Sequence, residues 1–300
     1  MRSSPYSRRS WSSRSGMPQM PQVASVVDQL LPVLVLLVIV LLFFTVLFLY
    51  PLVWLLSASL KPGSEVFSGG LIGSTLMWSN YPKLISDQPV LQWTWNSVLV
   101  TVLASSTVTI SSALVAFAFS YFRFPYRGLV FGLVLAGMML PGAVTMIPNY
   151  LIWDYLGWTN TLVPLWAGNL FASPFYIFML RQFFLQIPQS LIDSARMDGM
   201  GEMRILFTIF WPLSKPVLSI VAIFTFMGSW NEVLWPLLVV REQALMTLPQ
   251  LLTVFALGGG AGSVGVSLAS AMVLVVPVVI AYAFLQRNFI ESMASSGVKG

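Results

Sequence analysis

Charged residues are absent from long stretches of this chain. Uncharged runs occupy residues 29–60, 88–122, 128–153, 155–180 and 243–286, and residues 216–240 are interrupted only by Glu232. About 20 apolar residues in a helix cross a hydrocarbon core of roughly 30 Å, so these runs predict six helical spans, at 30–58, 94–122, 129–151, 160–184, 214–240 and 264–286. Composition agrees: 57% of the 300 residues are hydrophobic and 8% charged, whereas a water-soluble domain carries about a quarter charged residues. The expected fold class is an all-α integral membrane protein with six transmembrane helices.

The basic residues orient it. With the N-terminus in the cytoplasm, Arg2, Arg8, Arg9, Arg14, Arg123, Arg127, Arg181, Arg196, Arg204, Lys215, Arg287 and Lys299 fall inside and Lys61, Lys83 and Arg241 outside. Basic residues collect on the cytoplasmic side of a membrane protein, which puts both termini in the cytoplasm. The same rule accounts for the net charge of +5 without a nucleic-acid partner. Residues 1–27, rich in Ser, Arg, Pro and Met, read as a disordered basic cytoplasmic arm, and residues 28–300 as the six-span domain. The apolar run after the arm is too long for a secretory signal and no A-x-A-like cleavage site closes it, so it reads as a retained first span.

The sequence has neither Cys nor His. Disulfides, thiol nucleophiles, His- or Cys-based zinc sites and Ser-His-Asp chemistry are thereby excluded, no metal site is expected, and no convergent carboxylate pair suggests a membrane-embedded enzyme. No G-x-x-x-x-G-K-[ST] loop is present, so this chain is not expected to bind ATP. "GGGAGSVG" at 258–265 has neither a preceding strand nor a closing Lys and reads as an outer loop. Pro141 and Pro148 should kink or end span three, and Trp153, Trp158 and Trp166 around Asp154 read as an interfacial aromatic belt.

One stretch breaks the apolar rule. Between Asp193 and Arg204 five charged residues (Asp193, Arg196, Asp198, Glu202, Arg204) fall within twelve positions, in the cytoplasmic loop 186–213. Pro188 ends what precedes, and Ser190-Leu191-Ile192-Asp193 matches a capping box, predicting a helix from Leu191. Gly199 suits the left-handed position that closes such a helix, and a second helix is expected from Glu202 to Trp211, before Pro212 and Pro216. The stretch reads as an amphipathic helix-turn-helix on the inner membrane face.

Asp193-Ser194-Ala195, then Gly199, then Ile209 and Pro212 with Trp211 between, resembles the EAA loop of importer-type ABC transporter permeases, with Asp for Glu, Ser for Ala and Trp for Leu. "SLKPGSEVF" at 59–67, "LRQFFLQIPQ" at 180–189, "FTFMGSWNEVLWPL" at 224–237, "TLP" at 247–249 and "GVKG" at 297–300 are similar to the carbohydrate-importing branch, and to the maltose-system G-type permease within it. The resemblance implies a type I importer permease fold. It also implies a second permease subunit, two ATP-binding subunits that hold ATP and Mg, an extracytoplasmic solute-binding protein, and a bacterial inner membrane. By the same resemblance the 191–211 element is the coupling helix, with Asp193, Ser194, Ala195, Arg196, Asp198, Gly199, Ile209 and Pro212 meeting the ATPase.

Glu232 is the acid expected inside a span, where charge usually faces a cavity or a partner. With Trp230, Asn231 and Trp235 it forms a cluster suited to sugar hydroxyls and C–H faces, a candidate substrate pathway. A place near the outer interface, with the tryptophans as anchors, is the structural alternative. Absence of Lys and Arg from the span interiors favours a neutral sugar or sugar-like solute, an oligosaccharide or glycosylated polyol, over a phosphorylated one. The competing function is an ion-coupled secondary carrier with Glu232 as coupling site.

Overall fold

A computed structural model describes residues 21–67, 70–256 and 264–297 of the chain; most of the expected N-terminal arm, residues 258–263 of the glycine-rich stretch and the last three residues lie outside that description. Helices, turns and short 3-10 pieces make up the described residues, without a strand. The chain divides into two units, residues 1–54 and 55–300. In the first, helix α1 (Pro21–Ser59) begins within the expected arm and includes Pro32 and Pro51. Its stretch from Leu30 is apolar on every side, and Leu30–Ser59, at 30 residues, is long enough to cross a bilayer with tilt.

The second unit is built around α3 (Val90–Tyr121), at 32 residues the other unbroken helix long and apolar enough to span a membrane. Short α2 (Asn80–Asp87) precedes it. The expected third span is two helices, α4 (Arg127–Ala136, extended by a 3-10 turn to Met139) and α5 (Gly142–Tyr155), bent by 100° at their junction. Pro141 is the cause. Its ring drives the preceding residue out of the helical region, and Leu140 accordingly sits at ψ 118. Pro148 is accommodated inside α5. The fourth expected span is likewise divided, into α6 (Val163–Trp166) with its 3-10 continuation to Phe171 and α7 (Pro174–Phe184), bent by 40°. Ala172, at φ 62, makes that break.

After α8 (Gln189–Met197) comes a rod of three parts: α9 (Glu202–Ile205), a π-helical turn over Leu206–Phe210, and α10 (Trp211–Leu213). An 82° corner at Ser214 joins the rod to α11 (Lys215–Trp230). Pro216 lies in the first turn of α11, where a missing N–H costs nothing. The fifth expected span ends at Trp230, ten residues early, and short α12 (Leu234–Val239) follows. Short α13 (Gln250–Ala256) and α14 (Val264–Gly297), whose apolar part is Val264–Ile280, complete the chain. Of the six expected straight spans, then, the first two form unbroken among the described residues, the third and fourth are bent pairs and the fifth stops at Trp230, because proline and single irregular residues interrupt apolar runs that hydropathy reads as continuous.

Helix α3 packs chiefly on α11 and α7. At its C-terminal end Ala113, Ala116 and Phe117 join Leu180 and Phe184 of α7, Ile192 and Ala195 of α8, Phe210, and Val217 and Val221 of α11 in one core. At its N-terminal end Val90 and Trp93 meet Leu84, Trp230, Leu251 and Val266 in another. Gly265 opens α14 where nothing larger fits: a Cβ there would stand 2.6 Å from Asn80 Nδ2 and 2.9 Å from the Lys61 carbonyl oxygen. Asn80 Nδ2 is itself held, donating to the Ser59 carbonyl at 2.8 Å. Gly265→Ala is expected to destabilise the protein by about 1–3 kcal/mol, the usual cost of overpacking, read as a lower thermal midpoint of the purified chain in detergent.

Candidate functional site: a polar elbow and a hydroxyl-lined cavity

The charged stretch folds into a closed elbow. Pro188, at φ −58 and ψ 130, is the N-cap of α8, so the helix starts at Gln189, two residues before the expected position. Ser190 then sits inside the first turn and forms no capping box: its carbonyl accepts from Ser194 Oγ at 2.9 Å, while Asp193 accepts from Gln189 Nε2 at 3.1 Å. The C-terminus follows the sequence expectation. Gly199 has φ +75, its N–H donates to the Arg196 carbonyl, and the Met200 N–H donates to the Ala195 carbonyl, both at 3.0 Å. This pair of bonds is the Schellman closure, which satisfies carbonyls the helix would otherwise leave open. The second helix extends past Trp211 to Leu213 instead of stopping before Pro212.

The residues expected to meet the ATPase divide by surroundings. Asp193, Ser194, Asp198, Gly199 and Pro212 are exposed. Ala195 is buried in the core shared with α3, α7 and α11, and Ile209 packs against the same core, so these two seat the elbow and do not face outward. The reason is helical spacing: Ile192 and Ala195, three apart, both turn inward. Arg196 lies back on the body. Its Nε donates to Tyr121 Oη at 2.9 Å and its guanidinium stacks over that ring at 4.6 Å. The hydrogen bond to Tyr121 raises the Arg196 pKa above its ordinary value, with the Glu202 and Asp193 carboxylates adding to it, so the cation is permanent. Sequence reasoning missed Met197, 82% exposed at the tip, and the aromatic seat beneath the elbow. There Phe210 meets Phe117 at 4.9 Å, Phe184 at 5.2 Å and Tyr121 at 6.0 Å, all edge to face.

The four residues expected along a substrate pathway also divide. Trp230 is 1% exposed, stacks on Phe226 and donates from Nε1 to the Leu274 carbonyl; it belongs to the core. Asn231 returns its amide to the Met227 carbonyl at 2.8 Å as α11 ends. Neither lines the cavity beside them. Glu232 and Trp235 do, bordering a space of about 310 Å³ among α3, α7, α11 and the turn before α7. Glu232 sits in the break between α11 and α12, not within a helical span. Its Oε1 accepts from the N–H groups of Leu234 at 3.0 Å and Trp235 at 3.2 Å, capping α12 where the helix dipole favours an anion. Trp235 Nε1 donates to the Pro164 carbonyl at 3.0 Å. The expected belt is partly internal, with Trp153 buried and stacked on Trp158 at 5.5 Å. Among the described residues no three Asp, Glu, His or Cys side chains gather as a metal site would need.

Residues 109–294 match the family described as the binding-protein-dependent transport system inner membrane component. The chain belongs to this family. It is 34% identical over 84% of its length, and 91% of the relative's, to the arabinooligosaccharides transport system permease protein AraQ of Halalkalibacterium halodurans. To the diacetylchitobiose uptake system permease protein NgcG of Streptomyces coelicolor it is 30% identical, over 85% of each chain. A chain in the crystal structure of a bacterial ABC transporter involved in the import of the acidic polysaccharide alginate shares the fold, with a TM-score of 0.71 at 22% identity, covering 91% of this chain and all of that one. A family member of this kind is a membrane component of a transport system. The ion-coupled carrier reading gains no support from the family match.

Proposed function

We propose that this chain is one half of the translocation path of an ATP-driven, binding-protein-dependent ABC importer for a neutral sugar or sugar-like solute, an oligosaccharide or glycosylated polyol. Its partners are a second permease subunit, two ATP-binding subunits that hold ATP and Mg, and an extracytoplasmic solute-binding protein. Both termini face the cytoplasm. The observation that carries the reading is the closed elbow of residues 189–213. In an otherwise apolar family member a rigid, charged projection is seated by Ala195, Ile209 and Phe210 on one end of the helical body and presents Asp193, Ser194, Met197 and Asp198 outward. Such a surface suits a soluble partner, and the absence of a phosphate-binding loop assigns ATP to that partner.

The Cys-free sequence makes the test clean. Met197→Cys introduces a single thiol at the exposed tip; in membranes carrying the assembled complex it is expected to cross-link through a short bifunctional reagent to an ATP-binding subunit. Thr145→Cys, on α5, is the control and should not cross-link to that subunit. A Met197→Cys thiol that reacts only with water-soluble maleimide, while the complex still hydrolyses ATP, would remove the elbow from the interface.

A further inference from the structure

Three arginines stand where α3, α4 and α7 converge, and no acid accompanies them. Arg181, in the last turn of α7, donates from Nε to the Phe119 carbonyl of α3 at 3.2 Å and lays its guanidinium over the Phe131 ring of α4 at 4.3 Å. Arg127 opens α4, one helical turn before Phe131, and donates from Nη1 to the Phe122 carbonyl at 3.1 Å. Arg123 lies exposed in the turn between α3 and α4. The dipole of α3 favours cations at its C-terminal end, but that role occupies one N–H of each guanidinium, and Arg carries five. The remaining donors of Arg127 and Arg181 have no partner among the described residues. Neither residues 88–153 nor residues 155–192 contain an Asp or Glu, so α3, α4 and α7 supply no counter-charge. Arg127 and Arg181 are both half-buried, and charges withdrawn from water are normally paired. The junction lacks an anion.

The geometry points to a binding site for one anionic phospholipid, its phosphate held by Arg127 and Arg181 and its acyl chains laid along α4 and α7. A planar guanidinium meets phosphate oxygens through two parallel N–H bonds, and stacking on Phe131 fixes the plane of Arg181 before a ligand arrives. The surface beside the arginines is apolar and open. Val130 and Val134 share the helical face of Arg127 and Phe131; Val130 is exposed, as is Phe178, three residues before Arg181 on α7. Phe124, also exposed, packs on Phe119 at 5.9 Å, and Phe119 on Phe131 at 5.4 Å. Onward from Arg127 along α4, and back from Arg181 along α7, the chain runs without charge. The cations thus stand at the polar end of an apolar strip, as a headgroup stands above its tails. Free phosphate gains nothing from such a strip, whereas an acyl chain does. A zwitterionic headgroup would bring its own cation to a place with no carboxylate to receive it; an anionic one brings only the missing charge. The site concerns neither solute nor ATP, and only its assignment to the cytoplasmic leaflet rests on the proposed orientation.

The test uses the full chain in dodecylmaltoside micelles doped with dioleoylphosphatidylglycerol or, in equal amount, dioleoylphosphatidylcholine. The anionic lipid is expected to raise the thermal midpoint by at least about 4 °C more than the zwitterionic one, the scale of a ligand well above its dissociation constant, and native mass spectrometry should find one phosphatidylglycerol retained per chain. Inorganic phosphate should do no more than sodium chloride of equal ionic strength. Arg127→Gln with Arg181→Gln should abolish the lipid preference. Because both side chains also bond to the end of α3, Arg127→Gln is made alone as well; it leaves Arg181 clamped on Phe131 and should cut phosphatidylglycerol retention about tenfold, the usual weight of one charge-assisted hydrogen bond. Lys215→Gln removes a cation from α11, away from the junction, and should leave retention at the wild-type level. Equal midpoints in the two lipids, a shift reproduced by phosphate alone, retention undiminished in Arg127→Gln, or equal losses in Arg127→Gln and Lys215→Gln would each overturn the site. None of these measurements requires ATP or solute, so failure of the importer reading would leave them standing.

Discussion

Phe210→Ala is expected to lower stability by about 3–5 kcal/mol, the range for removing a fully buried aromatic side chain, and to release the ATP-binding partner. Phe210 is 1% exposed, at the point where three other rings converge edge-on from α3 and α7. Truncation leaves a void beneath the elbow that Phe117, Phe184 and Tyr121 cannot close without leaving their own positions. The measurement is twofold: the thermal midpoint of the purified chain, and recovery of the ATP-binding subunit on affinity purification of this one. Phe210→Leu, which keeps most of the volume, should retain the partner. Equal partner recovery from the alanine variant would show that the aromatic seat does not position the elbow.

The second large effect is expected at Gly199, for a different reason. A Cβ added there meets nothing within 4 Å, so crowding plays no part. The cost is conformational: φ +75 is strained by about 1–2 kcal/mol for an ordinary L-residue and by more for a β-branched one. Gly199→Val should therefore open the Schellman closure and re-aim Met197 and Asp198, and since about 1.4 kcal/mol is a tenfold shift in population, ATP-dependent uptake should fall tenfold or more with membrane insertion intact. Gly199→Asn, which tolerates the left-handed region, should keep most of the activity. Identical loss in both variants would trace the defect to side-chain bulk and not to the backbone angle.

What the sequence discloses is uneven for identifiable reasons. Long uncharged runs mark where helices lie, because hydrocarbon tolerates nothing else, but they are silent about breaks. The 100° corner at Pro141 is readable, since proline constrains its predecessor. The corner at Ala172 is not, because alanine does not favour the positive φ found there. Gly199 is legible as a helix stop, yet Ser190 misleads: Pro188 already occupies the cap position, and a motif counted by spacing takes no account of which residue enters the helix first. The side chains of Trp230 and Glu232, two positions apart, have different surroundings, since α11 ends between them: the indole donates to the Leu274 carbonyl while Glu232 borders the cavity.

The corner at Ser214 carries a mechanical consequence. The rod from Glu202 to Leu213 is about 18 Å long at 1.5 Å per residue and meets α11 at 82°, forming a bell crank whose long arm bears Thr225 and Ser229. A push delivered across the short arm becomes a swing of the long one. A stroke of the proposed ATP-binding partner on the elbow would thus arrive as sideways travel of the cavity wall.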